Sequence, residues 1–138
     1  MLDRRSSVLV VEDDGDMRSL LRDGLWSDGY LLREVEDGDE AVLSVLRAAP
    51  DLILTELRLV SGGVDYVRRL RAFVPHCPII VMTAFGDDRV RGEVLRAGAT
   101  VYFSKPVHLT ALRSCVKQLL GAGSQAKATC AEMTEGVR

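Results

Sequence analysis

"DLILTELRLV", residues 51–60, begins as a strand and ends as a problem in electrostatics. Leu52, Ile53 and Leu54 follow one another without in–out alternation, the pattern of a strand covered on both faces. Glu56 then brings a carboxylate to the C-terminal end of that strand, or just past it. A charge there is costly unless it finds a partner. "SVLVVE" (7–12), "PIIVMTA" (78–84) and "TVYFS" (100–104) read as further strands, and "YLLREVE" (30–36) can form another. Between them run segments of helical period. Met17, Leu20, Leu21 and Leu25 share one face, as do Val42, Val45 and Leu46. Val64, Val67 and Leu70 mark a third helix, Val90, Val94 and Leu95 a fourth, and Leu109, Leu112, Val116 and Leu119 a last one. Gly29 and Gly98 stand where helix-ending glycines belong, and Pro50 stops the second helix. Five strand–helix units at this spacing predict an α/β fold, a parallel sheet with helices on both faces.

The chain has 138 residues, enough for one domain with a full core. A formal net charge of -2 gives no electrostatic case for nucleic acid or an anionic membrane. No apolar run approaches the roughly 18 residues of a membrane span, and the N-terminal apolar stretch is too short for a signal-peptide core. Cys77, Cys115 and Cys130 are odd in number and lack metal-ligand spacing, which predicts reduced thiols in a cytoplasmic protein. After Leu120 the composition turns small and polar. The expected division is a domain over 1–121 and a flexible tail or truncated linker over 122–138.

Sites in such folds lie beyond the C-terminal ends of the strands. Glu12, Asp13 and Asp14 stand there on the first strand, Glu56 on the third, Thr83 on the fourth and Lys105 on the fifth. The chain has three lysines against fifteen arginines, which makes a lysine at this edge notable.

Taken together, "VLVVEDD" (8–14), "PDLIL" (50–54), "VMTA" (81–84) and "GATVYFSKP" (98–106) resemble the receiver domain of two-component response regulators, the CheY-like fold. The resemblance covers residues 7 to 120. It implies a five-stranded sheet in the order 2-1-3-4-5. It also implies an aspartate after the third strand that accepts a phosphoryl group from a histidine kinase. Carried across, Glu12 and Asp13 match the acidic pair that holds Mg²⁺, with the acceptor residue as third ligand. Thr83 matches the hydroxyl that contacts the phosphoryl group, Lys105 the charge-neutralising lysine, and Tyr102 the aromatic switch residue. The Lys105–Pro106 bond is expected to be cis. The family's output face, formed by the fourth helix, fifth strand and fifth helix, would here include Arg89, Arg91, Arg96, Tyr102 and Arg113. It implies a signalling or output protein, a histidine kinase or a second copy of the chain as partner.

The acceptor position, however, holds Glu56. A proline common four places later is Val60, and the loop after it is one residue short. Phosphoryl transfer depends on alignment, and a misplacement of about 1 Å can cost on the order of a hundredfold. Mg²⁺ is equally strict. The expectation is therefore a non-enzymatic interaction module, phosphorylation-independent, with weak Mg²⁺ affinity at Glu12, Asp13 and Glu56. Glu56 should instead pair with Lys105. The alternative is a working receiver, phosphorylated by a histidine kinase in a phosphorelay with Mg²⁺. A flavodoxin-like cofactor binder needs a phosphate-cradling loop where "EDDGDM" (12–17) offers acids, and is set aside. His76 and His108 lack partners at ligand spacing.

Overall fold

The computed structural model describes residues 5–84 and 86–121. The elements alternate throughout: β1 (Ser7–Val11), α1 (Gly15–Ser27), β2 (Leu31–Val35), α2 (Gly38–Arg47), β3 (Leu52–Glu56), α3 (Val64–Phe73), β4 (Ile79–Thr83), α4 (Asp88–Ala97), β5 (Val101–Ser104) and α5 (Leu109–Gly121). The five strands form one parallel sheet in the order β2-β1-β3-β4-β5. The segment 122–138, where composition predicts a tail, lies outside the described residues.

Successive strand residues point to opposite faces, so each strand feeds two cores. Leu9, Val11, Ile53 and Val81 face α2, α3 and α4, where Val42, Val67, Leu70 and Val94 meet them. Val8, Val10, Leu54 and Met82 face α1 and α5, against Leu21, Leu25, Leu112 and Val116. β3 is buried at all five positions, which is why its sequence shows no alternation. Three helices start on an aspartate cap. Asp14 accepts from the Asp16 amide at 3.0 Å, Asp37 from Glu40 at 2.8 Å and Asp87 from Val90 at 2.9 Å. Each cap satisfies an amide that the helix itself cannot, worth about 1 kcal/mol.

Some predicted inward positions are not inward. Leu20 is 49% exposed, Leu46 57% and Leu95 37%. Each sits at the margin of its apolar stripe, where a helix packed on a flat sheet turns toward water. Tyr66 and Cys115, not predicted as core, are buried. Gly29 and Gly98 have φ of +91° and +126° just past α1 and α4, as helix-ending glycines require. Among the described residues, no helix is long and apolar enough to cross a membrane.

Candidate functional site

The strand ladders run one residue past the strands and place the site. The Glu12 amide donates to the Val35 carbonyl at 3.1 Å, Leu57 to Met82 at 3.1 Å and Lys105 to Thr83 at 3.0 Å. Glu12, Glu56 and Lys105 therefore meet at one end of the sheet. The Lys105 Nζ donates to Glu12 Oε1 at 2.6 Å and lies 2.8 Å from Glu56 Oε1. The expected Glu56–Lys105 pair is present, and Glu12 joins it as a second anion that the sequence reading did not pair. The Lys105–Pro106 bond is cis.

Both carboxylates are almost wholly enclosed, with Glu12 at 0% and Glu56 at 5% exposure. Their remaining oxygens are engaged by peptide N–H groups. Glu12 Oε2 accepts from the Asp14 amide at 3.2 Å. Glu56 Oε2 accepts from Leu57 at 2.6 Å and Arg58 at 2.9 Å. The longer glutamate side chain folds back onto the two amides that follow it. Nothing in the sequence marks those amides as site residues, because their direction depends on the turn after β3.

Burial raises the Glu12 pKa above its usual value, against the opposing Lys105 and Asp14 hydrogen bonds. For Lys105, burial alone would lower the pKa. Its hydrogen bonds to Glu12 and Glu56 and the charges of both acids outweigh that and hold it above the ordinary lysine value. The two acids thus keep the ammonium charged despite its burial.

The other predicted site residues divide. Thr83 is buried at the end of β4 and lines a shallow pocket with Leu57, Leu59, Val64 and Val90. Asp13 is exposed. Asp14, the next acid, is committed to capping α1. Tyr102 is only 5% exposed and adds little to an outer face, a correction to its expected place on the output surface. Its hydroxyl is buried without a hydrogen-bond partner among the described residues. Gly86 makes room for it, since a Cβ there would lie 1.5 Å from the Tyr102 oxygen. Arg113 turns from the output face to α1, gripping Asp28 at 2.6 and 2.9 Å, and Arg89 pairs with Glu93 at 2.9 Å. His76 and His108 are exposed. Beside the site, Gly86, Asp87, Arg91, Tyr102, Lys105 and His108 line part of an open cleft of about 310 Å³.

Mg²⁺ asks for oxygens in an octahedron at about 2.0–2.1 Å. Here all four oxygens of Glu12 and Glu56 already face N–H donors, and a cation, the Lys105 ammonium, lies between the two acids. Among the described residues, no three His, Cys, Asp or Glu side chains are gathered where they could hold a metal. The residues as arranged do not fit a divalent ion.

Comparison with known proteins agrees with this architecture. Residues 8–117 match the model of the response regulator receiver domain. The chain is 39% identical over 133 residues to the transcriptional regulatory protein PrrA of Mycobacterium tuberculosis, covering 94% of this chain and 56% of that protein. It is 28% identical to the sporulation initiation phosphotransferase F of Bacillus subtilis, over 82% of this chain and 92% of that one. The chain spans about half the length of PrrA and of the ResD regulator of B. subtilis. Among solved structures, a two-component response regulator from Clostridium difficile superposes with a TM-score of 0.80 at 26% identity, covering 84% of this chain and 96% of that one. The signal receiver domain of a histidine kinase from Syntrophus aciditrophicus does so with a TM-score of 0.76 at 30% identity, covering 83% and 89%.

Proposed function

The chain belongs to the response regulator receiver domain family, and from that premise we propose that it is a bacterial, cytoplasmic pseudo-receiver, a signalling module that binds its partner without being phosphorylated. Glu56 fills the place of the phosphoacceptor aspartate and blocks its chemistry. The observation that carries this reading is the engagement of the Glu56 carboxylate. One oxygen lies 2.8 Å from Lys105 and the other accepts from two peptide amides, all at 5% exposure. A nucleophile needs a free lone pair aligned with the phosphorus. This carboxylate has neither the freedom nor the exposure to be one.

The same geometry gives the glutamate a positive role. Lys105 and the amides of Leu57 and Arg58 are donors of the kind that would hold a phosphoryl group. Glu56 supplies them with a fixed anion of one charge, where a phosphate would bring up to about two. The domain is held in one output state, and α4, β5 and α5 present it to a protein partner.

Intact-mass measurement after incubation with acetyl phosphate and Mg²⁺, under conditions that preserve acyl phosphates, tests the reading. No adduct is expected. A phosphoryl group mapped to Glu56 overturns it in favour of a working receiver fed by a histidine kinase.

A further inference from the structure

We propose that Lys105 is the resident cation of this site: its ammonium occupies the charge-neutralising position between Glu12 and Glu56, so the wild-type domain is blind to divalent metal, and a divalent site opens only when that ammonium is removed. The inference deepens the reading of Glu56 as the residue that fills the acceptor position.

Three observations converge. First, Nζ lies 2.6 Å from Glu12 Oε1 and 2.8 Å from Glu56 Oε1. Both carboxylates turn one oxygen toward the same point, as metal ligands do, yet the atom at that point is a nitrogen. Second, each second oxygen is withdrawn from that point by peptide N–H groups, Asp14 for Glu12 and Leu57 with Arg58 for Glu56. An incoming ion would have to displace the ammonium and compete with three amides for oxygens already committed. Third, the resident residue is lysine in a chain that otherwise favours arginine. Lysine's ammonium is a compact point charge with three donors, whereas the planar guanidinium of arginine matches a single carboxylate side-on. The compact ammonium sits between the two acids as an ion does, and a guanidinium would keep the charge there with a different shape.

Ammonium and metal then exclude one another. Removing the ammonium leaves Glu12 and Glu56 buried without a counter-cation. Carboxylates so placed are relieved by a divalent cation.

The test is calorimetric titration of MgCl₂ and MnCl₂ into the full chain, as wild type, Lys105→Met and Lys105→Arg. Wild type is expected to show no saturable binding in the low-millimolar range. Lys105→Met is expected to bind at least about tenfold more tightly, the size of an ordinary coupling between two ligands. Lys105→Arg keeps the charge and should remain blind to metal. Melting curves give a second readout: Mg²⁺ should raise the Tm of Lys105→Met and leave wild type unmoved. Should Lys105→Met be unfolded without metal, circular dichroism against Mg²⁺ concentration is expected to show it refold. Metal binding by wild type as tight as by Lys105→Met overturns the proposal, as does a Lys105→Met that neither binds metal nor refolds with it. These outcomes are separate from the acetyl phosphate assay, since a phosphoryl adduct on Glu56 would overturn the pseudo-receiver reading whatever the titrations give.

Discussion

Arg71 and Lys105 are partly buried cations at opposite ends of the same sheet, and their surroundings push them in opposite directions. Arg71, on α3, donates to the Gly98 carbonyl at 2.7 and 3.0 Å, to Val74 at 2.8 Å and to Cys77 at 2.7 Å. These acceptors are neutral, so burial prevails and lowers its pKa. Lys105 faces two carboxylates, which override burial and raise its pKa. Arg71 ties the end of α3 to the end of α4, a role in which neutral carbonyls suffice. Gly98 is part of that tie, because a Cβ there would lie 2.7 Å from Arg71 Cγ. At the other end the acids were placed first, by the ladders of β1 and β3, and the cation answers them. Partial burial alone does not set the direction in which a cation's pKa moves; the charge on the acceptors does.

The sharpest way to break this contrast is to remove each cation. Lys105→Met leaves two enclosed acids unpaired, and a loss of about 3–5 kcal/mol is expected without added metal. Chemical denaturation should show it beside Lys117→Ala, on the exposed side of α5, which should stay within about 0.5 kcal/mol of wild type. Arg71→Ala leaves carbonyls short of a donor but no charge stranded, so about 2–3 kcal/mol is expected in the same assay. Arg71→Lys should not restore it, because one ammonium cannot reproduce a fork that spans three carbonyls.

Glu56→Gln tests the anion alone. Its amide has one acceptor oxygen where the carboxylate uses two, so either Lys105 or the Leu57 and Arg58 amides must lose a partner. A loss of about 1–3 kcal/mol is expected, together with weaker partner capture from native cell extract. Destabilisation with partner capture unchanged would make the pair structural and refute the mimicry.

The pH dependence follows from the same contrast. The folded pKa of Lys105 is raised above the 10.5 of an ordinary lysine. Its contribution is therefore fully present below pH 10.5 and lost as pH rises through the higher folded value. Wild type should lose stability in that alkaline window, measured as Tm against pH, and Lys105→Met should lack this component. The smallest effect expected is at Tyr102. Tyr102→Phe removes a buried hydroxyl that has no hydrogen-bond partner among the described residues, and should be neutral or stabilise by about 1 kcal/mol.

Much of this was legible in the sequence, and the rest was hidden for identifiable reasons. The unbroken apolar run at 52–54 announced a strand covered on both faces, and the parallel sheet followed from it. The Glu56–Lys105 pair was foreseeable because both residues end strands that feed one edge. Glu12 as Lys105's second partner was not foreseen, since a Glu-Asp-Asp run does not show which acid turns inward. Asp14 proved to be a helix cap and Asp13 stayed at the surface. Leu20, Leu46 and Leu95 misled because the 3.6-residue period gives the centre of an apolar face more reliably than its width. Tyr66 was discoverable, standing four residues before Leu70 on the inward face of α3. The folding-back of Glu56 onto its own following amides was not, because it depends on backbone direction rather than residue type.

Tyr66 also carries an optical consequence. The Thr55 hydroxyl donates to the Glu56 carbonyl at 2.8 Å. Its single proton is thereby spent, so in its 2.8 Å contact with Tyr66 the phenol must be the donor. Burial pushes the Tyr66 pKa far above that of a free phenol. The ring therefore keeps its proton until the fold opens. In an alkaline spectrophotometric titration its phenolate absorbance would appear only with unfolding, an intrinsic chromophore bonded to Thr55, the residue before Glu56.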